Sequence, residues 1–518
     1  MSSKSKILWI DDEIEMLKPH ILFLEQKGYH LSPVSNGNDA LELLKKEDFD
    51  IIFLDENMPG LSGLETLSFI KDLKPNIPVV MITKSEEETI MEEAIGSKIS
   101  DYLIKPVNPN QILLSLKKNL DDRRLIQEKT TGSYQREFMR LGMEISPNLS
   151  FNEWAALYRK LVFWELELQK SGDDSMLQIL TTQKEDANKV FSKTFIKNYR
   201  DWLNDKNDPP LFSHNVMQKY VFPLLSKNEK IMVVIIDNLR FDQWKTMQPA
   251  IEEYFRVADE NLYCSILPTA TQYARNAMFS GLMPSEIQKK FPSLWIEDDD
   301  DEVSKNQYEP ELFAELLKRL GLNIKHNFSK ILNLRAGRKY VDTFSNIASN
   351  QLNVLVYNFV DMLSHSKTNM EIIKELANDE AAYRSITSSW FDHSPLADVF
   401  ELAAKNNFKI ILTTDHGSIR VKNPVKVLGD RETNANIRFK YGKNLNTDGK
   451  NIFELKNPSD LFLPRPNVST SYLFCTSSDY FVYPNNYNYY VNFFADTFQH
   501  GGISLEENVI PLITLAPK

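Results

Sequence analysis

The sequence predicts an α/β protein in three parts: a doubly wound parallel-sheet domain over residues 1–119, a helical bundle over 120–210, and a larger α/β domain over 211–518. Three observations predict it. Short, wholly apolar runs alternate with helical stretches near the N-terminus, a Gly- and Pro-poor segment with helical apolar spacing follows, and a second series of apolar runs then appears, ending in Asp or His. At 518 residues the chain is too long for one core and suits about three domains. Hydrophobic residues at 42% and charged residues at 25% describe a folded chain and not a disordered one.

In the first part ILWI (7–10) ends at Asp11-Asp12, IIFL (51–54) at Asp55, VVMI (79–82) at Thr83, and DYLI (101–104) at Lys105-Pro106. Strands apolar on both faces imply a parallel sheet covered by helices on both sides, and such sheets gather their chemistry at the carboxyl ends of the strands. Three carboxylates brought together there repel one another unless a hard divalent cation such as Mg²⁺ neutralises them. Asp55 is then a carboxylate nucleophile for a phosphoryl group, with Lys105 to pair with the new charge and Thr83 to donate a hydrogen bond to it. The series DD, DENMPG (55–60), T and KP resembles the receiver domain of two-component response regulators over 1–119. The resemblance implies a CheY-like fold, phosphorylation of Asp55 by a cognate sensor histidine kinase, and Mg²⁺ held by Asp12, Asp55 and the carbonyl of Asn57, with Asp11 assisting. It also makes Tyr102 the aromatic that changes rotamer in the switch.

The middle part reads as helices. Phe151, Trp154, Ala155, Tyr158, Leu161 and Val162 line one helical face, and Phe191, Phe195, Tyr199 and Trp202 line another. Three helices or so would bury these stripes against one another, with no residue pattern that points to chemistry. Asp208-Pro209-Pro210 marks the boundary, since Pro-Pro cannot continue a helix.

The third part opens with IMVVIID, ending at Asp237. Later segments supply Asp361 and His365 in NVLVYNFVDMLSH, Asp415 and His416 in FKIILTTDHGS, and His500 in FQHGG, while Thr271 precedes a helical run. Asp and His without thiolates suit Zn²⁺ or Mn²⁺, and two such ions can clamp the attacking and leaving oxygens of a phosphoryl group. A threonine hydroxyl beside such ions ionises more readily and becomes a usable nucleophile. These segments resemble the alkaline phosphatase superfamily, in its PglZ branch, over roughly 211–518, and the DNLR that begins at Asp237 matches that branch. By this resemblance Asp237, Thr271, Asp415 and His416 form one zinc site, with Thr271 the nucleophile, and Asp361, His365 and His500 form a second. Arg275, one helical turn after Thr271, is expected either to reach a phosphate oxygen or to form a surface salt bridge. His393 is expected in an ordinary loop, with membership of an additional site as the alternative, and the acidic run 297–302 in a solvated loop.

Composition excludes several classes. Lys+Arg 60 against Asp+Glu 71 gives a net charge of −11, which argues against direct DNA binding. The first residues lack the apolar core of a signal peptide, no run of about 18 apolar residues could span a membrane, and Cys264 and Cys475 form no CxxC pair, so a cytoplasmic protein without disulfides is expected. As a whole the chain resembles the PorX-type response regulators of the Bacteroidota type IX secretion system. That resemblance implies contacts with an extracytoplasmic-function sigma factor and a secretion-motor component, and control of secretion. Two functions follow. One is a two-zinc phosphohydrolase, a phosphodiesterase on nucleotide or oligonucleotide substrates, gated by Asp55 phosphorylation and homodimerisation; the other is an adaptor whose metal domain only folds a protein-binding surface. Thr271 discriminates between them, because a structural zinc site has no use for it.

Overall fold

The apolar runs near the N-terminus form the strands of a parallel sheet in the computed structural model, which describes residues 5–74, 77–84, 99–225, 229–296, 304–361, 379–430 and 433–518. Strands β1 (Lys6–Ile10), β2 (His30–Val34), β3 (Ile51–Asp55), β4 (Val79–Thr83) and β5 (Asp101–Ile104) lie in the order β2-β1-β3-β4-β5. Alternation divides the apolar residues between two faces. Leu8, Ile10, Ile52, Leu54, Val79 and Met81 pack on Leu67 and Ile70 of helix Gly63–Leu73, while Ile7, Trp9, Ile51, Phe53, Val80 and Ile82 pack on Leu24, Ile112 and Leu116. Ser62 and Glu65 close a capping box at the start of helix Gly63–Leu73, which fixes where that helix begins after the β3 loop. The strand order and the helices on both faces make this a CheY-like doubly wound fold.

The chain divides into two compact units, residues 1–135 with 171–173, and residues 136–170 with 174–518. The second unit is built on a six-stranded mixed sheet. Its strands β6 (Lys230–Ile236), β7 (Phe255–Cys264), β8 (His326–Ile331), β9 (Leu352–Tyr357), β10 (Phe408–Thr413) and the C-terminal strand Val509–Pro517 lie in the order β7, C-terminal strand, β10, β6, β9, β8. Strands β10, β6, β9 and β8 are parallel, with Thr413 opposite Ile235 and Ile236 opposite Tyr357. The residues that follow β6, β9 and β10 therefore leave the sheet at one edge, side by side. Between β10 and the C-terminal strand lie small sheets, including Asn423–Leu428 beside Asp479–Val482 and Phe439–Gly442 beside Ser471–Phe474.

The two aromatic stripes lie on helices Phe151–Ser171 and Asp174–Leu203, which pack on each other through Trp154 and Phe191, with ring centroids 5.5 Å apart. They also pack on the sheet domain. Tyr158 meets Phe241, the Tyr199 hydroxyl accepts a hydrogen bond from Leu267 N at 2.8 Å, and Arg159 donates to the Glu260 carbonyl at 2.8 Å. Burying each of these large side chains contributes about 1.5–3 kcal/mol, so both helices are part of the second unit's core. Among the described residues no helix is long and apolar enough to cross a membrane.

Candidate active site and phosphoacceptor site

Strand geometry assembles the N-terminal site. Asp11 follows β1, Asp55 ends β3, Thr83 ends β4 and Lys105 follows β5, so four neighbouring strand ends deliver four polar groups to one edge. Oxygens of Asp11, Asp12 and Asp55 lie within 4.8 Å of one another. The Lys105 ammonium bridges Asp11 at 2.9 Å and Asp55 at 3.0 Å. Burial, helped by the charges of Asp11 and Asp12 and opposed by Lys105, pushes the Asp55 carboxyl up to about 6. Burial pulls Lys105 down, but its hydrogen bonds to the two aspartates outweigh this and hold it above its ordinary value. One lysine against three carboxylates leaves negative charge to be neutralised, and hard oxygen donors in that number suit Mg²⁺. Asn57 is exposed beside this edge, and Tyr102 is half-buried in β5. The Thr83 hydroxyl donates to the buried carboxylate of Glu56, a contact that the residue types alone do not announce.

In the second unit Asp237 follows β6, Asp361 lies four residues beyond β9, and Asp415 and His416 follow β10. Thr271 is the first residue of helix Thr271–Ser280. Its hydroxyl lies 3.0 Å from His416 Nε2 and 3.4 Å from Asp237 Oδ1. Donor atoms of Asp237, Asp415 and His416 fall within 4.8 Å of one another, and all three residues are buried. His500 faces Asp361, Nε2 to Oδ1 at 3.6 Å, and its ring stacks on that of His416 with centroids 4.2 Å apart. The structure thus brings Asp237, Thr271, Asp361, Asp415, His416 and His500 together, while His365 lies outside the described residues, as does the acidic run 297–302.

Local backbone explains the convergence. Asn238 adopts a left-handed conformation, φ 64°, which turns the chain sharply after β6 and points its amide N–H at Asp415 Oδ1, 3.4 Å away. Gly417 is required by space, because a Cβ there would lie 2.0 Å from the Glu506 carbonyl oxygen. His416 Nδ1 lies 3.2 Å from the Gly417 carbonyl and His500 Nδ1 lies 3.0 Å from that of Thr269, which leaves both Nε2 atoms facing the carboxylates.

Arg275 departs from both expectations. It is buried, donates to Asp237 Oδ2 at 2.6 Å and pairs with Glu309, whose other oxygen lies 3.3 Å from the Lys330 ammonium. Its partners lie beneath the site and not on the surface, because helix Thr271–Ser280 turns that face inward against helix Glu309–Arg319. His393 also differs: it ends helix Glu380–His393, exposed, with Nδ1 2.8 Å from the Ser389 carbonyl, and takes no part in the cluster.

The electrostatics describe a site short of cations. Burial pushes Asp237 up to about 8 against the pull of Arg275, with Asp415 and Asp361 adding to the rise, and burial pushes Asp415 up as well. Burial and the nearby His500 push His416 down to about 4, so it is a neutral donor near pH 7. Asp415 Oδ2 is fully buried without a hydrogen-bond partner. An orphaned carboxylate oxygen, two imidazole Nε2 atoms with braced rings and two further carboxylates are the donor chemistry of Zn²⁺, so the residues fit the metal. A third acidic group, Glu165, Asp242 and Glu380, is different, because Arg240, Arg384 and Lys184 already fill it.

Residues 216–515 match the family described as the BREX system PglZ alkaline phosphatase-like domain. The chain belongs to the PglZ alkaline phosphatase-like family. Residues 7–117 match the response regulator receiver domain and 124–203 the PorX response regulator linker domain, so the whole has a PorX-type receiver, linker and PglZ architecture. Curated relatives include the transcriptional regulatory protein ZraR of Klebsiella oxytoca, 33% identical over 26% of this chain and 31% of its own length. Another is ResD of Bacillus subtilis, 30% identical over 22% and 48%. The chain thus spans about a third to a half of these relatives. Similar solved structures include the chemotaxis protein CheY4 of Vibrio cholerae, 28% identical over 23% of this chain and 100% of that one, TM-score 0.22. A CheY-like receiver domain from Methanospirillum hungatei JF-1 is 27% identical over 23% and 96%, TM-score 0.23. The N-terminal part is thus a response regulator receiver and the C-terminal part a PglZ alkaline phosphatase-like domain.

Proposed function

We propose that the chain is a response regulator whose phosphorylation at Asp55 gates a two-zinc phosphohydrolase, a phosphodiesterase acting on nucleotide or oligonucleotide substrates. The observation that carries this reading is the Thr271 hydroxyl, held 3.0 Å from His416 Nε2 at the start of a ten-residue helix. Asp237, Thr271, Asp415 and His416 would hold one zinc ion and Asp361, His365 and His500 the other; in the receiver Asp11, Asp12, Asp55 and the Asn57 carbonyl would hold Mg²⁺. Bound zinc supplies Lewis-acid stabilisation of phosphoryl oxygens. The chain's own residues do the positioning. Asp237 and His416 aim the Thr271 oxygen, and the amides at the helix start favour an anion before it. Arg275 holds Asp237 in place from below. Thr271 attacks phosphorus as the bond to the leaving oxygen breaks, and water then displaces the threonine from the phosphoester and restores the hydroxyl.

The domains in this reading are 1–119, 120–210 and 211–518. Phosphorylation is read as driving homodimerisation through β5 and helix Pro109–Leu116, where Ile104 and Leu114 are 41% and 67% exposed. The PorX-type architecture extends the proposal to a cytoplasmic regulator of type IX secretion that engages an extracytoplasmic-function sigma factor and a secretion-motor component.

The test is metal content by mass spectrometry together with hydrolysis of a chromogenic bis-aryl phosphodiester by wild type, Thr271→Ala and His416→Ala. Two zinc ions per chain and turnover lost in both variants are expected. Zinc without turnover would move the function to a phosphorylation-selected adaptor, and no zinc would overturn the ligand assignment.

A further inference from the structure

The position next after Asp55, just beyond the end of β3, is a demanding place for a carboxylate. Glu56 is only 8% exposed, and the backbone around it is fixed: its N–H donates to the Ile82 carbonyl at 2.9 Å, and its own carbonyl accepts from Gly63 N at 2.8 Å. A Cβ on Gly63 would stand 2.6 Å from Glu56 Cα, so the helix start presses on this residue and leaves only the side chain free to turn. Lys105 is engaged with Asp11 and Asp55, and among the described residues no ion pair involves Glu56. What the Glu56 carboxylate does have is the Thr83 hydroxyl, itself fully buried at the end of the adjacent strand.

A hydroxyl carries one proton and donates once. Asp55 and Thr83 end neighbouring strands, Asp55 lying opposite Ile82, so Thr83 is the hydroxyl available at that edge for an oxygen added to Asp55. While Thr83 donates to Glu56 it is withheld from that oxygen. We propose that Glu56 is a positioning residue that holds the Thr83 hydroxyl in the resting receiver, so that the phosphorylated state forms only when a charge-assisted hydrogen bond between them is broken. The inference rests on the reading of Asp55 as phosphoacceptor. Glu56 also adds a negative charge beside the incoming group, and it opposes the switch on both counts. The chain thereby sets a threshold: weak or adventitious phosphorylation leaves Thr83 with Glu56, and a committed receiver must give that contact up.

The experiment titrates the full-length chain, with Mg²⁺ present, with beryllofluoride as the phosphoryl mimic, reading the apparent Kd from the shift in thermal unfolding. Glu56→Gln keeps shape and an acceptor oxygen but removes the charge, and Glu56→Ala removes both; the first should tighten binding about tenfold and the second at least as much, the scale of one charge-assisted hydrogen bond. In a Thr83→Ala background the same Glu56→Gln change should tighten binding clearly less, because the competing donor is gone and only the charge contribution is left. An unchanged Kd in both Glu56 variants overturns the proposal, as does an equal gain with and without Thr83. Failure of the underlying reading looks different: beryllofluoride would not bind wild type, or would bind Asp55→Asn equally well.

Discussion

Replacing Lys184 with Met tests whether the buried ion network holds the long helices to the sheet domain. The Lys184 ammonium lies 2.6 Å from Glu165 and 3.5 Å from Glu506, with side chains 13% and 7% exposed. Arg384 joins Glu165 at 2.7 Å to Asp242 at 3.0 Å, and Arg240 pairs with Asp242 and Glu380. Four carboxylates thus face three cations, and the variant leaves two charges uncompensated in place of one. Breaking a buried pair from one side costs about 3–5 kcal/mol. A second route gives the same size. Burial alone would raise Glu165, but Lys184 and Arg384 hold it down to about 2, and a depression of that order is worth about 3 kcal/mol.

The second unit has about 380 residues, and at about 2.1 cal/mol/K per residue its unfolding entropy converts 3–5 kcal/mol into a fall in Tm of about 4–6 °C. Differential scanning calorimetry should show that fall in the larger transition, with the receiver transition unmoved. Because the folded pKa of Glu165 is depressed, its contribution is present above its ordinary value and is lost as the pH falls towards about 2. The gap between wild type and variant should therefore close between pH 4.5 and 2. A shift below 1 °C at pH 7, or a gap that stays constant into acid, would refute the account of the network.

Gly417→Ala should lower both Tm and any turnover of the bis-aryl phosphodiester, because the added methyl meets the Glu506 carbonyl and displaces His416; overpacking of this kind costs about 1–3 kcal/mol, read by calorimetry. Lys440 is buried, donates to the Asn434 and Ala435 carbonyls, and is held by burial down to about 7. Between that value and the ordinary lysine range the unfolded chain binds the extra proton, so the stability of wild type relative to Lys440→Met should rise from pH 7 to 10 in denaturant titrations. Leu114→Arg places charge on the exposed face of helix Pro109–Leu116 and should keep the beryllofluoride-treated chain monomeric by light scattering.

The positions of the chemical groups were legible because strands impose them. An apolar run covered on both faces must end at the sheet edge, so an Asp or His immediately after it is delivered to that edge whatever the connections do. Asp11, Asp55, Thr83 and Lys105 meet in this way, as do Asp237, Asp415 and His416. Helical periodicity carries less information. It marked the faces of Tyr158 and Tyr199 but could not say that Phe241 of the sheet domain meets the first and Leu267 the second. Arg275 shows the limit most clearly: its spacing from Thr271 puts it on one helical face, yet that face turns inward, towards Asp237 and the distant Glu309. Glu56 and Asn238 carried weak local signals, a carboxylate after a buried strand and an Asn where the chain must turn left-handed.

The balance of charge separates the two sites that are short of cations from the network that has its own. Asp11, Asp12 and Asp55 face one lysine, and Asp237, Asp361 and Asp415 face one arginine that also serves Glu309, with His416 neutral. With its carboxylates ionised each triad is two charges short, and Asp415 Oδ2 has no hydrogen-bond partner, Arg275 standing 3.9 Å away. The Glu165 network is short by one and is closed by three side-chain cations. Zinc should therefore stabilise the second unit through its triad and gain nothing from the network. At 100 times its Kd a ligand contributes about 2.7 kcal/mol, or about 3 °C on the entropy used above. Adding zinc to chelator-treated protein should raise the larger transition by that amount in wild type, and by much less in His416→Ala. An equal rise in both would mean that zinc binds elsewhere, and no rise would mean that the buried carboxylates of the triad stay protonated and need no cation at all.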